Sequence, residues 1–185
     1  MKKITGLLIG LLLSYSSVQA EDTSFLFNVG VTFGGDAITT DANGNEFGLH
    51  EGFTFMFGTD IALTENIVVE ILAGYMMGYQ NYSNGSASFE RIPLEALVVL
   101  ELGSVRLGGG LTYHTNNSLE VNIDGFLPIT GSAKDAIGYV AILEVPTRSN
   151  ENSSYGFKYT QISYDFGGTQ LADGSGISFY GSLKF

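Results

Sequence analysis

The chain has 185 residues, with 25 Gly, 13 Phe, 10 Tyr, 3 Pro, no Cys and no Trp, and its 19 acids against 8 bases give a formal charge of -11. So few Lys and Arg cannot build a basic patch, which excludes nucleic-acid binding, and a chain without Cys has no disulfide, thiolate metal site, iron–sulfur cluster, thiol nucleophile or cysteine-linked lipid. At 44% apolar residues the chain is too hydrophobic to be disordered, and a mean hydropathy of +0.19 sits oddly with so much acid.

Lys2 and Lys3 precede an apolar run from Ile4 to Leu13, and a polar stretch then ends in Val18-Gln19-Ala20 before Glu21-Asp22. A basic start, a short apolar run and small residues at the last and third-last places form a secretory signal peptide over residues 1–20, cleaved to leave a single domain at 21–185. The run is about half the roughly 20 residues a membrane helix needs. Removing 20 residues takes two lysines with it, so the remaining 165 carry 19 acids against 6 bases, a charge of -13. No later window reaches about 18 consecutive apolar residues, so no membrane helix is expected.

Period-two alternation recurs instead. From Phe25 to Phe33 the odd positions are Phe25, Phe27, Val29, Val31 and Phe33, with Asn28, Gly30 and Thr32 between them. The same pattern runs from Phe53 to Leu63, turns at Thr64-Glu65-Asn66, and resumes from Ile67 to Tyr79 with Glu70, Gly74 and Gly78 on the second face. A fourth run sets Ile92, Leu94, Ala96, Val98 and Leu100 against Arg91, Pro93, Glu95, Val99 and Glu101, and Gly103-Ser104 turns it into a fifth, Val105 to His114. The sixth covers about Ile137 to Val145, the seventh about Ser154 to Phe166, and the last Ile177 to Phe185. Eight segments fit.

A soluble sandwich also alternates, but its second face meets water and favours Lys, Glu and Thr. Here that face is rich in Gly (Gly30, Gly58, Gly74, Gly78, Gly108, Gly110, Gly138, Gly156). Small residues suit the crowded inside of a narrow barrel, and runs of about 9 to 11 residues suit a tilted strand crossing a bilayer. The expected fold is therefore all-β, a transmembrane antiparallel up-and-down β-barrel of eight strands, closed because an unpaired strand edge in hydrocarbon is too costly. Connections near 64–66, 103–104 and 148–153 are short, and those near 36–49, 80–90, 115–136 and 167–175 are long, as expected for periplasmic turns and outer loops.

The chain ends Ile177-Ser178-Phe179-Tyr180-Gly181-Ser182-Leu183-Lys184-Phe185. Phe179, Leu183 and Phe185 resemble the C-terminal signal that outer-membrane barrels present to their insertion machinery. The stretch Phe89-Glu90-Arg91-Ile92-Pro93-Leu94-Glu95 with Val105 to His114 is similar to the middle hairpin of the small outer-membrane protein β-barrel domain family, of the porin-like, opacity-type superfamily. Gly156-Phe157-Lys158-Tyr159-Thr160 and the final strand resemble its last hairpin. The resemblance covers essentially the whole mature chain. It implies a Gram-negative outer-membrane location, with lipid, lipopolysaccharide and the insertion machinery as partners. It carries no functional residue, because the family holds adhesins, resistance factors and members without a known role.

A two-residue turn at Gly103-Ser104 puts Glu101 opposite Arg106 and Glu95 opposite Thr112, and Leu63 opposite Ile67 puts Asp60 against Glu70. Glu144 should face Lys158 if its turn spans about seven residues. Asp60, Glu70, Glu95, Glu101, Arg106, Glu144, Lys158 and Lys184 thus form an expected inward charge network. An eight-stranded barrel is just wide enough for side chains, so a charged plug that fixes register outweighs a conducting or catalytic cluster, although a narrow channel is the alternative.

Other chemistry is thin, and a monomeric, non-enzymatic barrel with no cofactor, serving envelope integrity or surface interaction through its outer loops, is the main expectation. His114, Ser118 and Glu120 offer a loose Ser, His and acid set on an outer rim, the alternative being a lipid A acyl hydrolase. That group of enzymes has a His-x-Ser arrangement, and the residue two after His114 is Asn116. Asp41 to Glu46 fails as a calcium loop, with Glu46 at the Gly position and Gly52 at that of the bidentate Glu. Neither His50 nor His114 has a second His nearby, so no metal site is expected.

Overall fold

The computed structural model describes residues 23–40, 44, 46–82, 85–123, 128–147, 150–167 and 171–185. The chain enters in β1 (Thr23–Gly34), forms a small hairpin of β2 (Ala37–Thr40) and β3 (Glu46–Gly48), and returns in β4 (Gly52–Thr64). A turn at Glu65-Asn66 leads into β5 (Ile67–Tyr82), followed by β6 (Gly85–Glu101) and β7 (Arg106–Ile123). Beyond β7 come β8 (Ile129–Ala133), β9 (Ala136–Thr147), β10 (Asn150–Gln161), the two-residue strands β11 (Ser163–Tyr164) and β12 (Ala172–Asp173), and β13 (Gly176–Lys184).

Eight of these strands are the staves of a barrel. The antiparallel order β1-β4-β5-β6-β7-β9-β10-β13 returns to β1, where Phe27 pairs with Leu183 and Phe33 with Ile177. Closure extends past the ladder, because Phe25 and Phe185 exchange two backbone hydrogen bonds of 3.0 and 2.9 Å. The sheet therefore has no open edge between its first and last staves, as lipid demands of any spanning sheet. The fold is a closed, eight-stranded, up-and-down antiparallel barrel.

The alternation now acquires a direction. Along β9 burial switches at every residue from Ala136 to Val145. Val98 is 52% exposed while its neighbours Leu97 and Val99 are 2% and 0% exposed. Leu111, Tyr139, Tyr155, Phe157 and Phe179 join Val98 on the outside. A continuous belt of large exposed aliphatic and aromatic side chains, with polar groups turned inward, is the inverse of a soluble protein and the surface of a barrel in lipid. The inward face holds small residues where neighbours crowd: a Cβ on Gly156 would lie 2.6 Å from the Tyr180 hydroxyl oxygen, with the ring closer still.

The ends differ. At one end the links are tight, and Gly103 supplies the positive φ (69°) that lets Leu102 N–H bond the Val105 carbonyl at 2.8 Å. The register there puts Glu101 opposite Arg106 and Glu95 opposite Thr112. At the β4–β5 turn Thr64, not Leu63, stands opposite Ile67, and a bulge before it restores Ala62 to Val68 and Asp60 to Glu70.

At the other end the expected long loops are largely ordered β structure. β5 runs to Tyr82 and β6 starts at Gly85, its partner, and the end of β7 has β8 paired against it. The seventh stave stops at Gln161 rather than Phe166, since Ser163-Tyr164 leaves it to pair with Ala172-Asp173. Strands can continue past the membrane because backbone pairing persists in water whenever side chains pack on one face. Here they do: Phe47, Leu49, Ala87, Phe89, Ala133, Ala136, Ile162 and Tyr164 form a second apolar cluster.

Candidate functional site: the filled lumen

The inward side chains fall into layers. Next to the short turns, the Arg106 guanidinium is surrounded by four carboxylates: Asp60 and Glu70 both at 2.9 Å from Nη2, Glu144 at 2.5 Å from Nη1, and Glu101 at 3.2 Å from Nε. Lys184 Nζ reaches Asp60 at 3.2 Å, and the Tyr180 hydroxyl donates to Glu144 at 2.7 Å. The fork of a guanidinium, with donors pointing in several directions, lets one cation serve acids on β4, β5, β6 and β9 at once.

Above this cluster lies an apolar layer of Leu26, Met56, Val68, Leu72, Leu97, Val99, Val140 and Ile142, contributed by five staves. Lys158 then bonds Glu95 at 2.6 Å across the barrel, with Met56 Sδ at 3.5 Å from the same Nζ. Charge pairs alone do not fill the interior; the apolar layer occupies its middle, and Leu97 and Val99, which follow the inward Glu95 on β6, were its sequence signal.

Glu144 does not face Lys158. It stands opposite Gly156, while Lys158 is opposite Ile142. The β9–β10 connection pairs Thr147 with Asn150 and then shifts register before Pro146 meets Ser154, so the extra residues are absorbed in a bulge rather than in a longer turn. Glu144 instead meets Arg106, its partner across the β7–β9 ladder, and Lys158 reaches Glu95.

His114 is not on a rim. It is 2% exposed inside the barrel, with Nδ1 2.5 Å from the Tyr164 hydroxyl. Asn116 has a positive φ (54°) in a bulge of β7, where the register slips between the pairs Thr115–Ile92 and Ser118–Glu90. One added residue reverses the faces. Asn117 therefore turns inward, while Ser118 and Glu120 are exposed on the opposite side from His114. The structure does not bring His114, Ser118 and Glu120 together. Arg91 and His50 are fully buried alongside His114 near the long-connection end. Arg91 shares the inward parity of Pro93 and Glu95, but its pairing could not be read from a turn length. Asp41, in the calcium-like stretch, lies outside the described residues. Among the described residues no group of three or more His, Cys, Asp or Glu is placed to hold a metal ion.

The outer surface at the long-connection end is acidic. Asp36, Glu46, Glu120, Asp135 and Asp173 are exposed there, and Lys134 is the accompanying base among the described residues. Lys134 pairs with Asp165 at 2.7 Å. That hydrogen bond, with a second from the Gly167 N–H, holds the Asp165 carboxyl below the usual carboxylate range. Hydrogen bonds from Tyr113 and Thr115 likewise lower Asp135.

No family model matches the chain, and no curated protein matches it. Solved structures do. The chain is similar to Ail, the attachment invasion locus protein of Yersinia pestis, seen alone and in complex with the heparin analogue sucrose octasulfate. Both matches are at 14% identity, with TM-scores of 0.58 and 0.59, and cover 89% of this chain and 99% of Ail. It is also similar to Neisserial surface protein A at 12% identity and a TM-score of 0.52, covering 88% of this chain and 96% of the other. At such identity the likeness is one of fold.

Proposed function

We propose that this protein is a monomeric, non-enzymatic outer-membrane barrel of a Gram-negative envelope, released from its signal peptide at Ala20, whose lumen is sealed and whose outer hairpins contact other surfaces. The observation that carries the reading is the filled interior. Four carboxylates on Arg106, an apolar layer, the Lys158–Glu95 pair and a second apolar cluster occupy successive levels. A sealed tube in lipid does nothing by conduction, so its function falls to what projects beyond it. Structural likeness to an attachment invasion locus protein and to a Neisserial surface protein supports the same reading.

The partner's chemistry differs from that in the Ail complex. A sulfated polyanion would meet Asp36, Glu46, Glu120, Asp135 and Asp173 with little base to offset them. Like charges suppress association, so a basic partner is favoured instead. The lipid-facing belt would bind lipid and lipopolysaccharide acyl chains, and the strand ending at Phe185 would be presented to the insertion machinery.

Planar-bilayer recording of the purified protein tests the sealed lumen. The expected trace is flat, and a steady open conductance of porin size would overturn the reading. Binding of vesicle-embedded protein to a polylysine-coated and a heparin-coated surface tests the partner, with retention expected only on polylysine and weakening as salt rises.

A further inference from the structure

Beneath the outer apolar cluster sits a group of basic side chains with too little counter-charge. Arg91 is 0% exposed, its guanidinium carbon 4.8 Å from the centre of the Phe89 ring and 5.8 Å from that of Tyr164. Among the described residues, none of its Nε, Nη1 and Nη2 atoms has a hydrogen-bond acceptor. A guanidinium does not give up its proton in a protein, and aromatic faces replace only part of the water it has lost. The fields of Arg91 and Lys158 both fall on His50 and His114. Among the described residues neither ring nitrogen of the buried His50 has a hydrogen-bond partner.

His50, His114 and Lys158 line a cavity of about 10 Å³, with the hydroxyl-bearing Thr54, Thr160 and Ser178 around it. Arg91 is adjacent, paired in register with Met76, which also lines the cavity. One acid lines it, Glu95, and Lys158 holds that at 2.6 Å. Asp173, whose field also reaches His50, stands exposed on β12. The volume matches about one water-sized sphere, too small for a sulfate, phosphate or carboxylate ligand. A water would fill that space but leave the buried Arg91 charge unbalanced, whereas a monatomic anion would fill it and offset that charge.

We propose that this cavity binds a single halide ion, chloride in the protein's surroundings, in the field of Arg91 and Lys158. Hydroxyl and imidazole donors from β4, β10, β13 and the β3–β4 turn converge on it. The ion balances Arg91 and ties the outer hairpins to the barrel wall, because His50 hangs from the turn above while Thr54, Thr160 and Ser178 belong to the staves.

The test uses the full mature chain folded in detergent micelles. Its thermal midpoint is followed as sodium gluconate is replaced by sodium chloride at constant ionic strength. The expected result is a saturable rise of about 2–4 °C with chloride, absent in Arg91→Met. Crystals of the unaltered protein soaked in bromide should show an anomalous peak between His50 and His114, which keeps the idea testable if Arg91→Met does not fold. Identical midpoints in the two salts, a chloride effect that survives in Arg91→Met, or bromide-soaked crystals without a peak at this place would each overturn the proposal.

Discussion

Replacing Arg106 by Met is the sharpest test of how the lumen is held. Its side chain is 11% exposed and the carboxylates of Asp60, Glu70 and Glu144 are 1–2% exposed, so the three pairs lie out of water. Hydrogen bonds to charged partners contribute about 1.5–3 kcal/mol each, and three would sum to about 4.5–9 kcal/mol if they were independent. They are not, since Lys184 stays on Asp60 and Tyr180 on Glu144. The loss of one partner from a buried charge network costs about 3–5 kcal/mol, and that is the expected loss for Arg106→Met. Urea unfolding in lipid vesicles, followed by Trp-free far-ultraviolet dichroism and by gel mobility, measures it. Adding Glu70→Gln to Arg106→Met should recover part of the loss, because one stranded carboxylate is then neutral. A cost under about 1 kcal/mol, or a double variant less stable than the single one, would refute the reasoning.

Tyr180→Phe leaves Glu144 Oε1 without its donor and should cost about 1–3 kcal/mol in the same unfolding assay. Gly156→Ala pushes a methyl into the Tyr180 ring and should lower the urea midpoint by a similar amount, through overpacking rather than charge. Lys158→Met strands Glu95 in the lumen and should destabilise by about 3–5 kcal/mol, whereas Lys158→Met with Glu95→Gln should recover most of that. Carbon-detected NMR of Asp165 should show a titration midpoint below that of an ordinary Asp, moved part-way back in Lys134→Met because the Gly167 N–H still donates. As a depressed carboxyl it adds its small contribution above the ordinary Asp range and loses it as pH falls through the lowered midpoint.

Much of the barrel was legible because alternation reports which side of a sheet each residue takes, and β9 keeps that pattern without a break from Ala136 to Val145. Registers next to tight turns were legible as well: Gly103-Ser104 leaves no slack, and Glu101 meets Arg106. Where slack existed the reading failed. Three residues taken up in the β9–β10 bulge moved Glu144 two places away from Lys158. One residue at Asn116 separated His114 from Ser118 and Glu120, a reversal that no polarity pattern announces. The ordered hairpins beyond the membrane were missed because Gly, Ser and Asn read as loop there. They are paired because Phe47, Phe89 and Tyr164, far apart in sequence, meet in one cluster. The partners of Arg91 were out of reach for the same reason: parity gives the side, not the height at which distant staves place their side chains.

The seam between β1 and β13 bears on how the protein comes to exist. These strands are the first and last staves in chain order, yet they pair over nine residue positions, from Leu26 with Lys184 to Gly34 with Gly176. Any partial assembly of consecutive staves, however many, exposes two unpaired flanks. Stave-by-stave threading into lipid as the polypeptide emerges is thus unfavourable at every stage before the last. Closing the sheet requires its first and last staves together, so burial of the backbone in lipid is complete only once the two ends of the chain have met.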